Sequence, residues 1–139
     1  MGLEKLHKMT SRGVWQATFN YEYRNQKYSN IFGNFKVLEY PTYRLRYNWK
    51  YSTDIRYNIT KSPFNGKFEV EFQTWDSDLF NTEENCAKQL SGSWWYLVDK
   101  YTHECRIFDR EKNLNYKNTN EFYKFSIKLK RIDDLAYYV

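Results

Sequence analysis

Tyr43-Arg44-Leu45-Arg46-Tyr47-Asn48-Trp49-Lys50-Tyr51 alternates without an error, with Tyr43, Leu45, Tyr47, Trp49 and Tyr51 on one side and Arg44, Arg46, Asn48 and Lys50 on the other. Successive side chains of a strand point to opposite faces, so a period of two predicts a strand with one buried and one wet face. The same signature recurs on both sides of this stretch. In residues 14–24, Trp15, Ala17, Phe19, Tyr21 and Tyr23 oppose Gln16, Thr18, Asn20, Glu22 and Arg24. A turn at Asn25-Gln26-Lys27 leads into a second strand over 30–40, where Gly33 marks a bulge or a close approach. Residues 54–60 repeat the pattern with Ile55, Tyr57 and Ile59. Ser62-Pro63-Phe64-Asn65-Gly66 then turns the chain into Phe68, Val70 and Phe72. Residues 121–132 alternate again through Tyr123, Phe125, Ile127 and Leu129.

The rest of the chain fits around these strands. Leu3, Leu6 and Met9 are spaced for one face of a short N-terminal helix that ends at Thr10-Ser11-Arg12-Gly13. Residues 76–90 break the alternation and read as a loop with one helical turn, 93–98 form a continuous apolar run, and 104–108 form a short strand. Half-apolar strands joined by short turns predict an antiparallel all-β domain. With about seven to nine Tyr-rich strands, closure into a barrel removes the exposed edges that invite aggregation.

The 139 residues fit a single domain, 1–139, with no room for two. With 41% hydrophobic and 28% charged residues the chain is expected to fold. No stretch approaches the ~20 apolar residues of a membrane span, and the mean hydropathy is −0.92. The aromatic share, 21%, is the unusual figure. A net charge of +5 permits an acidic partner without choosing among them. The N-terminus has no apolar leader core, so a secretory signal is expected to be absent unless already removed, and the cytoplasm is the expected compartment. Cys86 and Cys105 form no recognisable framework. A disulfide between them stays open, but without an export signal both thiols are expected to be reduced. His7 and His103 stand too far apart for a zinc site, so no metal is expected. There is no Gly-x-Ser-x-Gly, Walker loop or His-rich motif to suggest a hydrolase. Asn58-Ile59-Thr60 matches the N-glycosylation sequon, but with no export signal it reads as a chance match.

Among residues with chemistry, Arg44 and Arg46 share a strand face at roughly 6–7 Å. Two guanidinium forks at that spacing suit a pair of carboxylates, and Arg56 joins them if its strand lies alongside. The plainer reading is that this face is simply solvated. Trp94 and Trp95 are adjacent, so one indole is expected in the core and the other on a pocket or partner surface.

Two resemblances organise these features. Gly13-Val14-Trp15 after a short helix resembles the start of lipocalin-type (calycin) barrels, where a Trp closes the floor and a late basic residue, here Arg131, stacks on it. Phe32-Gly33-Asn34-Phe35, Glu39-Tyr40-Pro41 and Tyr43-Arg44-Leu45-Arg46, followed by Asn85-Cys86, Glu104-Cys105-Arg106-Ile107 and Tyr116, resemble the T-type phycobiliprotein lyases. The segment through Tyr28 is closer to the S-type. The resemblance implies a lipocalin-like barrel that attaches an open-chain tetrapyrrole to a cysteine of a phycobiliprotein subunit. Phycoerythrobilin or phycocyanobilin would be substrate rather than cofactor. It also implies residence in a cytosol of cyanobacterial type or of a phage-infected cell. Tyr43, Arg44, Arg46, Arg56 and Trp94 would bind the pigment, with both arginines inward. Glu69 or Asp133, or else Glu39 or Glu71, would protonate it. Cys86 or Cys105 would hold it in transit, unless both are merely structural. The alternatives are a calycin-type carrier of a hydrophobic ligand and a basic, aromatic binder of single-stranded nucleic acid. Strand parity disfavours the second, because it separates the basic from the aromatic side chains. An aromatic outer face is consistent with a homodimer.

Overall fold

In the computed structural model, residues 2–23, 25–64, 66–67, 69–74, 86–89, 92–98, 105–108 and 122–132 are described. Helix α1 (Leu3–Thr10) precedes the long strands β1 (Trp15–Tyr23), β2 (Gln26–Val37) and β3 (Leu45–Ser52). A two-residue β4 (Glu69–Val70), a single helical turn α2 (Cys86–Gln89), the short β5 (Leu97–Val98) and β6 (Cys105–Arg106), and a long β7 (Phe122–Arg131) complete the order. The main sheet runs β4-β3-β2-β1-β7 and all its pairs are antiparallel. β5 and β6 form a separate antiparallel pair.

The alternation places the aromatic side of each strand on one sheet face. Ala17, Phe19, Tyr21 and Tyr23 of β1, Phe32, Phe35 and Val37 of β2, and Leu45 and Tyr47 of β3 are all buried. β2 keeps both Phe32 and Phe35 inward, although their odd spacing should put them on opposite faces. The ladder to β3 slips between Gly33 and Lys36, and Asn34 has a φ of 42°, so one extra residue is absorbed there. The Lys50 side chain lies across Gly33, so a Cβ there would have to push its stem aside. The sequence reading of Gly33 as a bulge or a close approach holds in its first form, with the slip just after it.

Among the described residues, loops rather than a second long-stranded sheet cover the apolar face. Phe64 packs on Phe32 at 5.5 Å and on Phe108 at 5.6 Å, and Trp94 meets Phe19 at 5.8 Å. Helix α1 is hooked to the end of β2: the Thr10 hydroxyl donates to Leu6 O at 2.8 Å and accepts from Val37 N at 3.0 Å. Gly13, at φ 82°, turns the chain from this helix into β1.

Three expectations need correction. The domain is all-β with a short N-terminal helix, but the sheet is not closed into a lipocalin-like barrel. Alternation says which side of a strand is apolar; it does not say whether the sheet curls far enough to join its ends. Here the edge strands of the main sheet are β4 and β7, with three strands between them.

Residues 54–60 are turns rather than a strand. Asp54 is buried, and its carboxylate takes the Arg56 backbone N–H at 3.1 Å, a local bond that competes with ladder formation. Ile55 and Ile59 are consequently 95% and 89% exposed, while Tyr57 turns inward.

The cysteines are not reduced: Cys86 and Cys105 form a disulfide. The bridge joins α2 to β6, and Gln73 reinforces it. The Gln73 backbone exchanges bonds with Trp94 (2.9 and 3.3 Å), and its buried side-chain oxygen accepts from Cys86 N at 3.1 Å.

Candidate functional site

β7 ends the sheet beside β1, and the two strands differ in cover. The inward residues of β1 from Ala17 to Tyr23 are buried, whereas Phe125, Ile127 and Leu129 of β7 are only partly covered. Leu6 and Met9 of α1, Trp15 of β1, Phe35 of β2, and Trp94 and Trp95 line a cavity with them. Together they enclose an open cleft of about 550 Å³. All three indole N–H groups are committed to backbone carbonyls: Trp15 to Arg12 at 2.7 Å, Trp94 to Ile107 at 3.2 Å, and Trp95 to Tyr43 at 3.1 Å. The tryptophans therefore offer the cleft their carbon faces, and no charged side chain lines it among the described residues. Such a wall binds apolar groups by burial and ring contact.

Arg44 and Arg46 do share a face, but it is the outer one, opposite the buried Leu45 and Tyr47. Both guanidinium groups hold Glu69. Arg44 Nη1 lies 2.9 Å from Oε2, and Arg46 donates to Oε1 from both Nε (3.0 Å) and Nη2. The hydrogen bonds from Arg46, aided by the neighbouring Arg44 charge, hold the Glu69 carboxyl below its ordinary value. This clamp ties β3 to β4 on the solvent side. The two arginines also line a groove of about 500 Å³ with His7, Glu39, Tyr40 and Pro41.

Tyr43 does not join the arginines. Its hydroxyl donates to Glu4 of α1 at 2.8 Å, which raises its pKa. Arg56 stands apart as well. It forms a fork on Asp54 (2.8 and 3.1 Å), with its guanidinium 4.7 Å from the Tyr23 ring centre and 5.6 Å from that of Tyr28. Burial works against the Arg56 charge, but the bonds to Asp54 outweigh it and raise the pKa further. Tyr21 lies within 3.5 Å of Asp54, and burial, followed by the Asp54 charge, pushes its phenol well above the usual range. Glu71 is partly buried, and Asp133 lies outside the described residues.

Of the expected site residues that are described, only Trp94 reaches the cleft. Trp95 is the core indole and also borders the cleft, and the two rings meet edge to face at 5.5 Å. The helical spacing of Leu6 and Met9 and the alternation of Phe125, Ile127 and Leu129 were both legible. Nothing in the sequence says that these two apolar rows face one another. Trp15 and Arg131 are cross-strand partners of β1 and β7, at the margin of an open sheet rather than on a barrel floor. Among the described residues no group of His, Cys, Asp and Glu is placed to hold a metal ion.

Comparison with known proteins overturns the lyase resemblance. The family described as fibrinogen beta and gamma chains, C-terminal globular domain, matches residues 1–129. Tenascin of Gallus gallus is 30% identical over 117 residues, which is 84% of this chain and 6% of that protein. A lamprey fibrin D-dimer, solved with the peptide ligand Gly-His-Arg-Pro-amide, superposes with a TM-score of 0.52 at 22% identity. That match covers 68% of this chain and 33% of the fibrin chain, so this chain spans only a small part of each relative. The pigment lyase, of T-type or S-type, is withdrawn on these matches. With it go the bilin substrate, the phycobiliprotein acceptor and the calycin-carrier and nucleic-acid alternatives.

Proposed function

Because this protein belongs to the family formed by the C-terminal globular domains of fibrinogen beta and gamma chains, we propose that it is a recognition domain that binds a short segment of another protein in the cleft between α1 and β7. The observation that carries this reading is the cleft itself: about 550 Å³, open, and walled by carbon faces of Trp15, Trp94 and Phe125. That volume lies within the range of small-ligand pockets, roughly 300–1,000 Å³, and suits a few side chains of a peptide. The fibrin neighbour, whose fold this chain shares, holds a four-residue peptide. Its ligand carries basic side chains. Among the described residues no carboxylate lines the cleft, so the segment it selects is apolar and aromatic, with affinity set by burial.

A random peptide-display library panned on the folded, disulfide-bridged protein tests this. Enrichment of sequences with two or more apolar or aromatic residues close together, displaced by changing Met9→Lys on the helical wall, is the expected result. No enrichment, or enrichment that ignores Met9→Lys, would contradict it.

A further inference from the structure

Two consecutive tight turns follow β3, and they are built alike. In the first, Asp54-Ile55-Arg56-Tyr57, the Tyr57 N–H donates to Asp54 O at 3.0 Å and the Arg56 N–H to Asp54 Oδ1 at 3.1 Å. In the second, Asn58-Ile59-Thr60-Lys61, the Lys61 N–H donates to Asn58 O at 3.1 Å and the Thr60 N–H to Asn58 Oδ1 at 2.9 Å. Each turn opens on an Asp or Asn whose side-chain oxygen caps the backbone two residues on. Each sets an isoleucine at its second position. Ile55 and Ile59 are almost fully bare, and Tyr51, just before them at the end of β3, is exposed as well.

A single exposed apolar side chain needs no explanation. Here the fold holds two of them out. Asp54 is buried, its N–H donates to the Ser52 hydroxyl at 2.9 Å, and its two carboxylate oxygens grip the Arg56 guanidinium. Trp49 Nε1 donates to Asn58 O at 2.8 Å. Both turns are thus fastened to β3 at their first residue, and turning either isoleucine inward would break those bonds. Four residues apart, the two Cα atoms lie no farther than roughly 14 Å from each other.

The surrounding charge has one sign. Asp54 is the only acid in residues 51–61, and its burial leaves no carboxylate exposed there, beside Arg56 and Lys61. Gln26 and Tyr28 line a pocket with Ile55, which brings the exposed Lys27 to the same end of the sheet. A protein partner would need hollows matched to two projecting points, whereas a bilayer deforms around them. Isoleucine enters the acyl region, tyrosine favours the headgroup boundary, and basic side chains reach the lipid phosphates.

We propose that the turns over 54–61 form a membrane-docking tip that inserts Ile55 and Ile59 into the surface of an anionic bilayer, with Lys27, Arg56 and Lys61 against the headgroups. A small apolar anchor or a few cations alone hold a protein only weakly to lipid, so the two act together. The tip shares no residue with the cleft, and docking leaves the cleft walls untouched.

Cosedimentation of the disulfide-bridged protein with vesicles of phosphatidylcholine and phosphatidylserine tests this. The expected result is that the protein pellets with these vesicles, less so at high salt, and far less with phosphatidylcholine alone. Ile55→Ser with Ile59→Ser weakens partitioning about tenfold or more and leaves the unfolding midpoint in place, while Ile55→Leu with Ile59→Leu retains binding. Pelleting no greater than without vesicles, equal pelleting of the serine variant, or equal pelleting with phosphatidylcholine alone overturns the proposal. So does a dimer in the absence of lipid that the serine substitutions dissociate, which would make the tip an interface between copies of this chain.

Discussion

Phe19 and Trp94 meet at 5.8 Å, but they arrive there from two regions built in different ways. Phe19 belongs to strands that follow one another in sequence, pair with their neighbours residue by residue, and bury one continuous aromatic row. Trp94 belongs to the stretch around β5 and β6, where regular pairing spans two residues per strand. Discrete fasteners hold that stretch: one disulfide, the Gln73 bridge, and two indole N–H bonds to distant carbonyls. The sheet is stable because many contacts cooperate; the cap is stable because a few specific ones do not break. The cleft lies between them, so it inherits the sheet's rigidity on one wall and the cap's dependence on its fasteners on the other.

That contrast can be broken from either side. Phe32 is fully buried and touches Phe19, Tyr47 and Phe64, so Phe32→Ala is expected to cost about 3–5 kcal/mol in denaturant unfolding and to weaken the whole domain together. A cost below that of an exposed substitution would mean the aromatic row is not the core. Replacing Cys86 and Cys105 by serine opens a loop with a sequence separation of 19, worth roughly 3 kcal/mol in the loop-entropy account. Here the loss should be local: amide exchange rises over 92–98 and peptide affinity falls, while β1 and β2 stay protected. Equal acceleration everywhere would show that cap and sheet unfold as one unit.

Each region also buries a phenol, which makes alkaline stability a shared test. Burial pushes Tyr47 of the sheet and Tyr96 of the cap up to about 12. In the unfolded state both ionise at the ordinary phenol value of 10. Between these limits the unfolded state binds fewer protons than the folded one, so stability falls as pH rises from 10 to about 12. Tyr47→Phe and Tyr96→Phe should each flatten that decline. An unchanged slope in both would argue that neither ring is buried. The smallest effect belongs to the outer clamp: Glu69→Gln is expected to leave the unfolding midpoint within the scatter of repeat scans, as for other solvent-facing ion pairs.

The same division governs what could be read from sequence. Alternation in 14–24 and 43–51 is a local property, and it correctly gave the buried face of β1 and of the first half of β3; beyond Tyr47 it failed, for Trp49 is only half-buried and Tyr51 is exposed. It failed at 54–60 because Asp54 forms its bond to Arg56 N within the turn, a competition that hydrophobic pattern does not register. The lyase resemblance rested on short motifs that turn out to build the fold. Gly33-Asn34 is a bulge, Leu45 is core between two solvent-facing arginines, and the two cysteines are a cross-link. None of them marks a ligand. The cleft was invisible because α1, β7 and Trp94 are far apart in sequence, and no periodicity reports which apolar rows meet across a fold.

The affinity of a display-selected peptide for two variants tests the assignment of the cleft most directly. Ile127→Gln changes the cleft wall, and Arg44→Ala with Arg46→Ala changes the outer clamp of the same sheet. The account predicts that Ile127→Gln weakens binding about tenfold or more, equivalent to ~1.4 kcal/mol, and that the arginine pair leaves it unchanged. The reverse ranking, with the arginine variant losing the peptide and Ile127→Gln keeping it, would move the binding site to the other face of the sheet.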